Sequence, residues 1–336
     1  HRGPDDRGLW SDPDAGVWLG HTRLSVIDLS DAGHQPMTSA DGRWVISYNG
    51  EIYNTGELRD RLGGAAVALR GHADTEVLLE AIAAWGIEAA LEAANGMFAL
   101  ALWDRAERTL HLARDRLGIK PVYWGRFGDL FLFGSELKAL RAHPGWTPAV
   151  DRDALAGYLR YGYVPAPASI HAGVRKLEPG HVLSLRPGGE PKVRAYWDLR
   201  RIATEGAASP VEGTDAEAVD GLESLLADAV SRRMVADVPL GAMLSGGIDS
   251  SSVTALMQAA SDRPVKTFSI GFREQRYDEA ADAAAVARHL GTDHTELYVE
   301  PDDARELLPR LPEWYDEPFA DSSQLPTYLV AELTRR

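Results

Sequence analysis

The chain has 336 residues, 35 Lys and Arg against 50 Asp and Glu for a formal net charge of −15, 45% hydrophobic and 25% charged residues, and no cysteine. At about 150 residues per domain this is a two-domain length, with enough apolar residues to exclude wholesale disorder. Disulfides, cysteine-ligated zinc and a cysteine nucleophile are excluded among these residues. The acidic balance argues against a nucleic-acid partner, because neutralising phosphates takes clustered Lys and Arg. No apolar run reaches about 18 residues and the opening HRGPDDRG lacks a basic-then-apolar layout, so neither a membrane partner nor export is expected and the location expected is cytoplasmic.

Residues 1–200 read as sheet-rich α+β. Short apolar runs at 17–19, 24–29, 44–48, 97–103, 109–113, 121–126 and 130–133 are strand candidates, broken by turn signals such as Ala40-Asp41-Gly42, and their close spacing favours antiparallel pairing. Residues 74–94 read as one helix, opening on Asp-Thr-Glu with Leu78, Leu79, Ile82 and Trp85 on one face, so a helix covers that sheet. Residues 201–213, RIATEGAASPVEG, lose apolar periodicity and read as a linker. From residue 214 onward Val219, Leu222, Leu225, Leu226, Ala229 and Val230 recur at helical spacing. Strand and helix then alternate: strand 238–244, helix 250–260, strand 265–272, helix 278–290, strand 294–299, helices 302–311 and 325–335. That alternation predicts an α/β doubly wound parallel sheet with right-handed crossovers.

Ser245-Gly246-Gly247-Ile248-Asp249-Ser250-Ser251 follows the strand at 238–244 and opens the next helix. Two glycines admit a phosphate close to the backbone, serine hydroxyls add donors, and a helix N-terminus presents free N–H groups with a favourable dipole. The competing reading is a glycine turn with Asp249 or Ser250 capping the helix. The loop is not a GxxxxGK[ST] sequence. It resembles the pyrophosphate-binding loop of PP-loop enzymes, which cleave ATP between the α- and β-phosphates. The resemblance implies that Ser245, Gly246, Gly247, Asp249, Ser250 and Ser251 hold the pyrophosphate of ATP with Mg²⁺, that Asp249 is a candidate contact to that ion, and that Leu244 and Ile270 border the nucleotide.

In the first half, the opening His1–Asp6 stretch, Arg23–Asp28, Tyr48–Asn54 and Gly71–Glu76 share a chemical theme. An Arg clamps a carboxylate, an Asp pairs with an ammonium, and an Asn beside a Gly N–H makes an oxyanion hole. Separately, Arg23 also reads as a surface ion-pairing residue, Asn49-Gly50 as a hairpin turn and Asp74 as a helix cap. Together these segments resemble the class II glutamine amidotransferase domain, an αββα sandwich of the N-terminal nucleophile hydrolase type. The resemblance implies that Arg23 binds the glutamine α-carboxylate, Asn49 and Gly50 stabilise the oxyanion, and Glu51 and Asp74 bind the α-amino end. Segments 96–104, 113–121 and 133–138 agree with it and are read as scaffold.

A glutaminase half before a PP-loop half is similar to the glutamine-hydrolysing asparagine synthetases. That likeness implies ATP-dependent amidation of aspartate by glutamine-derived ammonia through β-aspartyl-AMP. It also implies AMP and pyrophosphate as products, glutamine, aspartate and ATP as small-molecule partners, and a homodimer as a candidate assembly. Two departures are noted: the family's N-terminal nucleophilic cysteine and its second, SGDGGDE-type loop are both missing from these residues, so the chain reads as a fragment short at both ends. Asp321-Ser322-Ser323 reads as a helix cap ahead of an acceptor contact, and His289 and His294 are not expected to share a metal. Two alternatives stay open, a related amidotransferase or β-lactam-type synthetase with another carboxylate acceptor, and a catalytically incomplete glutamine- and ATP-binding protein.

Overall fold

The computed structural model describes residues 2–63, 68–272 and 279–335 and divides into two units, His1–Pro210 with Asp316–Phe319, and Val211–Tyr315 with Ala320–Arg336. The first contains β1 (Asp6–Asp12), β2 (Val17–Arg23), β3 (Met37–Thr38), β4 (Trp44–Ile52), α1 (Thr55–Arg61), α2 (Asp74–Trp85), α3 (Ile87–Ala93), β5 (Gly96–Asp104), β6 (Thr109–Arg114), β7 (Tyr123–Phe127), β8 (Leu130–Gly134), α4 (Leu137–Arg141), α5 (Arg152–Tyr161), β9 (Val174–Lys176), β10 (His181–Leu185), β11 (Lys192–Ala195) and α6 (Leu199–Ala208). The second contains α7 (Asp215–Arg232), β12 (Gly241–Met243), α8 (Ile248–Ala259), β13 (Lys266–Phe272), α9 (Ala280–Leu290), β14 (Asp293–Val299), α10 (Pro301–Leu307), α11 (Leu311–Trp314) and α12 (Gln324–Arg335).

The first unit is α+β, and side-chain alternation explains its layers. Its main sheet runs β11-β10-β6-β5-β4-β3, antiparallel throughout. Trp44, Ile46, Tyr48, Phe98, Leu100 and Leu102 on one face pack against Val77, Leu78, Ile82 and Leu91 of α2 and α3. Val45, Ala99, Ala101, Trp103 and Leu112 on the other face pack with Leu19 of β2, Trp124 of β7 and Phe131 and Phe133 of β8. The second sheet, β8-β7-β9, turns its remaining face, with Tyr123, Phe127, Leu132 and Val174, onto Leu137 and Leu140 of α4 and Ala154 of α5. The order is helix, sheet, sheet, helix.

Several sequence expectations are corrected here. Residues 24–29 are a loop, not a strand. Arg23 donates to the carbonyls of Ile27, Asp28 and Ser30, and the Asp28 carboxylate accepts from Ser30 N–H (3.1 Å) and His72 N–H (2.8 Å) with Asp28 at φ 58, so side chains have taken the groups a ladder would need. The helix expected at 74–94 is two helices, because Gly86 at φ 83 reverses the chain between α2 and α3. Most of the 201–213 linker is α6, whose first N–H groups, of Arg200 and Arg201, are capped by Asp198; it buries no residue, which is why no apolar stripe announced it.

In the second unit β12, β13 and β14 form a parallel sheet in chain order. The expected strand at 238–244 shortens to β12, the expected helix 302–311 stops at Leu307, and Asp278, where a helix start was expected, lies outside the described residues. Leu244 packs with Ala283 and Ala287 of α9, whereas Ile270 and Leu297 pack with Leu307 of α10 and Leu329 of α12, so helices cover both faces. Among the described residues no helix is long and apolar enough to cross a membrane.

Candidate functional site

The first unit draws three of its four chemistry-bearing segments, 23–28, 48–54 and 71–76, together through buried carboxylates. Asp74, at the start of α2, accepts from Ile52 N–H (2.9 Å) and Tyr48 OH (3.1 Å), which brackets Asn49, Gly50 and Glu51 on β4 from both sides. Burial pushes the Asp74 carboxyl up, against the pull of these donors, and burial beside Asp74 holds the Tyr48 phenol well above its ordinary range, so that phenol remains a donor. Gly50 is required by sterics: a Cβ there would lie 2.3 Å from Met97 O and 2.7 Å from the Phe98 Cα of β5. Asn49 Nδ2 donates to Ser135 Oγ (3.4 Å), beyond the end of β8. Glu51 and Lys120 lie in each other's field, and burial followed by the nearby Arg2 lowers the Lys120 ammonium.

Arg23 is 7% exposed, and both hydrogens of its Nη2 are spent on the Ile27 and Asp28 carbonyls while Nη1 donates to Ser30 O (3.0 Å). Arg23 here organises the 27–30 loop, and no bidentate fork stays free without Nη2. Asp28 carries that loop to the segment before α2 through His72. Burial alone would raise the Asp28 carboxyl, but Ser30 Oγ, the N–H groups of His72 and Ser30 and the His72 ring together hold it down at about 2.

The sign of that shift sets an acid limb. A folded-state value below the unfolded one of about 3.9 contributes stability that is complete above pH ~4 and is lost as pH falls from ~4 to ~2, about 2–3 kcal/mol in all. Asp28→Asn should flatten this limb in urea titrations at successive pH values. A variant that loses stability between pH ~4 and ~2 as steeply as its parent would show that Asp28 does not contribute it.

In the second unit, Leu244 is 1% exposed and its N–H continues the ladder to Phe268 O (2.9 Å) before the chain leaves the sheet. Ser250 Oγ accepts from Ser245 N–H (3.2 Å) and meets Ser245 Oγ (2.9 Å), while Gly247 N–H donates to Ser245 Oγ (3.4 Å). The loop therefore curls over the start of α8. Gly246 has φ 80 and its missing Cβ would lie 2.7 Å from the backbone N of Ala283, so the loop seats against α9. Gly247 is the α8 N-cap and no side chain caps the helix, so neither Asp249 nor Ser250 fills the capping role. Ser251 Oγ is buried without a hydrogen-bond partner. An uncapped 12-residue helix, a glycine cradle and three serine hydroxyls, one of them the orphaned Ser251 donor, fit a phosphate-bearing ligand. Asp249 stands exposed at the same helix start.

Ile270 packs in the core with Val299, Leu307 and Leu329. Asp321 accepts from Ser323 N–H (2.8 Å) in the turn before α12, and His294 bonds Thr267 and Ser269 hydroxyls. Sequence reasoning passed over Tyr48, Asp28, His72 and Ser135 as site residues. The available signal for Ser135 was a Ser-Glu pair ending an apolar strand.

The glutamine amidotransferase domain family matches residues 1–197, and the asparagine synthase family matches residues 221–336. Asparagine synthetase (glutamine-hydrolyzing) 1 of Bacillus subtilis is 34% identical over 336 residues, all of this chain and 51% of the relative. A putative asparagine synthetase (glutamine-hydrolyzing) 2 of Methanocaldococcus jannaschii is 36% identical over 358 residues, covering 100% of this chain and 67% of the relative. A putative asparagine synthetase (glutamine-hydrolyzing) of Mycobacterium tuberculosis is 38% identical over 350 residues, 100% of this chain and 52% of the relative. The chain thus spans about half the length of two of these relatives and two thirds of the third.

Proposed function

Because the chain belongs to the glutamine-hydrolysing asparagine synthetase family, we propose that the whole protein is an ATP-dependent ligase that makes asparagine from aspartate with ammonia cut from glutamine. Residues 1–200 act as the glutaminase domain and 214–336 as the PP-loop synthetase domain, a doubly wound parallel sheet. In the first, a nucleophile attacks the glutamine side-chain carbonyl. Asn49 Nδ2 and Gly50 N–H stabilise the oxyanion, the nitrogen takes up the nucleophile's proton and leaves as ammonia when the tetrahedral intermediate collapses, and water then hydrolyses the acyl intermediate to release glutamate and restore the nucleophile. Glu51 and Asp74 receive the α-amino end, and Arg23 the α-carboxylate, by releasing its loop carbonyls or through its remaining Nε–H.

In the second domain, Ser245, Gly246, Gly247, Asp249, Ser250 and Ser251 bind the pyrophosphate of ATP, with Leu244 and Ile270 bordering the nucleotide. A β-carboxylate oxygen of aspartate bonds to the α-phosphorus, the bond to the bridging oxygen breaks and pyrophosphate leaves. Ammonia then attacks the β-aspartyl-AMP carbonyl and AMP departs as the nitrogen loses a proton. Mg²⁺, held by the phosphates and Asp249, would offset the charge that develops on the leaving pyrophosphate. A cytoplasmic homodimer is the setting proposed for the enzyme.

The observation that carries this reading is the uncapped start of α8 beneath the Ser245–Ser251 loop, with Ser251 Oγ buried and unpartnered. The test is pyrophosphate release by the full-length protein given ATP and Mg²⁺, with aspartate and either glutamine or ammonium added. Release that depends on aspartate is expected. ATP turnover indifferent to aspartate would overturn the acceptor assignment.

A further inference from the structure

The turn at residues 135–138 lies between Asn49 and a segment from the far end of the chain. Ser135 Oγ accepts from Asn49 Nδ2 at 3.4 Å. Its neighbour Glu136 is ion-paired with Arg2 Nε at 2.7 Å and Lys138 Nζ at 3.3 Å. Lys138 Nζ also lies 3.2 Å from one oxygen of Asp316, whose other oxygen accepts from Leu137 N–H at 2.6 Å. Glu317 anchors that segment, accepting from Tyr123 OH (3.2 Å) and Ile170 N–H (2.8 Å) and pairing with Lys176 Nζ (2.5 Å). The Asp316 and Glu317 side chains are only 8% and 12% exposed, so this is a built contact within the first unit and not a surface ion pair.

We propose that Asp316 is a positioning residue for amide hydrolysis, holding the 135–138 turn so that Ser135 fixes one hydrogen of the Asn49 carboxamide and leaves the second aimed at the oxyanion. The physical need is specific. The terminal torsion of Asn is broad and roughly two-fold, so an unheld carboxamide presents its oxygen as readily as its nitrogen, and stabilisation of developing charge depends on donors fixed beforehand. Asparagine at 316 still offers Leu137 N–H an amide oxygen but cancels the charge that pairs with Lys138, which is left with Glu136 alone, and the turn is freed to shift. This inference rests on the oxyanion reading of Asn49.

The test measures glutamate release by the full-length protein carrying Asp316→Asn, Asn49→Ala, or both. Asp316→Asn is expected to lower kcat about tenfold with KM for glutamine within about twofold, and to cause no further loss in the Asn49→Ala background, because the two act through one group. A purely structural role would lower the rate by the same factor in both backgrounds. An unchanged Asp316→Asn rate, or losses that multiply, would overturn the inference and leave the glutaminase reading standing. A parent that hydrolyses no glutamine would overturn both. Should Asp316→Asn not fold, Lys138→Met cuts the same tie from the turn and is read in the same cycle.

Discussion

Asn49→Ala is expected to slow glutamine hydrolysis about 10²–10³-fold while synthesis driven by added ammonium continues at the parental rate, the scale set by removal of a single oxyanion donor. The substitution is mild for the fold. Asn49 lies within β4 opposite Ala99 of β5, and its partly exposed side chain donates to Ser135 Oγ, so truncation opens no core cavity. The effect should fall on kcat, because the donor is used most fully when the carbonyl oxygen becomes an anion. Parallel measurement of glutamate release and of ammonium-supported pyrophosphate release separates the outcomes. Equal loss of both rates would mean that Asn49 supports the fold and not the reaction.

Gly246→Ala is expected to reduce aspartate-dependent pyrophosphate release by about 100-fold or more, a loss of the size that misplacing a reacting group by about 1 Å produces. The new Cβ would sit 2.7 Å from the Ala283 backbone N and 2.8 Å from Asp282 Cβ, and φ 80 is a region that costs a non-glycine residue about 1–2 kcal/mol. Neither neighbour is a flexible chain end, so the loop or the first turn of α9 must move, and the Ser245 and Ser250 hydroxyls move with it. Gly221→Ala is the matched control. Gly221 lies within α7 with nothing within 4 Å of its Cβ position, so alanine there should leave the rate intact and add up to about 1 kcal/mol of stability. A Gly246→Ala protein as active as the Gly221→Ala protein would remove the loop from the ATP site.

The two candidate sites differed in how openly the sequence displayed them. Ser245–Ser251 is contiguous: the apolar strand before it, the glycines and the helix after it are neighbours in the chain, so the anion-binding geometry follows from local rules. The amide site is assembled from residues far apart. Asp74 meets Tyr48 and Ile52, 26 and 22 residues away, and Asn49 meets Ser135 across 86 residues. No periodicity carries such pairings. The Arg23 loop misled for a related reason: its residues 24–29 form a short, mostly apolar run like a strand, yet Leu24 and Leu29 are 65% and 54% exposed because Arg23 and Asp28 had already claimed the backbone.

By itself the sequence determined the class of each half, the strands β4, β5 and β6 and the parallel β-α alternation after residue 214. These follow from interactions that reach only a few residues along the chain: side-chain period, turn residues and helix ends. The break at Gly86 and helix α6 needed the fold, the first because apolar spacing continues across a chain reversal and the second because α6 buries nothing. Only the tertiary structure decided which carboxylate brackets Asn49, which hydroxyl holds it, and that Asp316–Phe319 belong with the first unit. Those choices are made where packed layers bring distant segments within about 3 Å, a distance at which one hydrogen bond selects one partner.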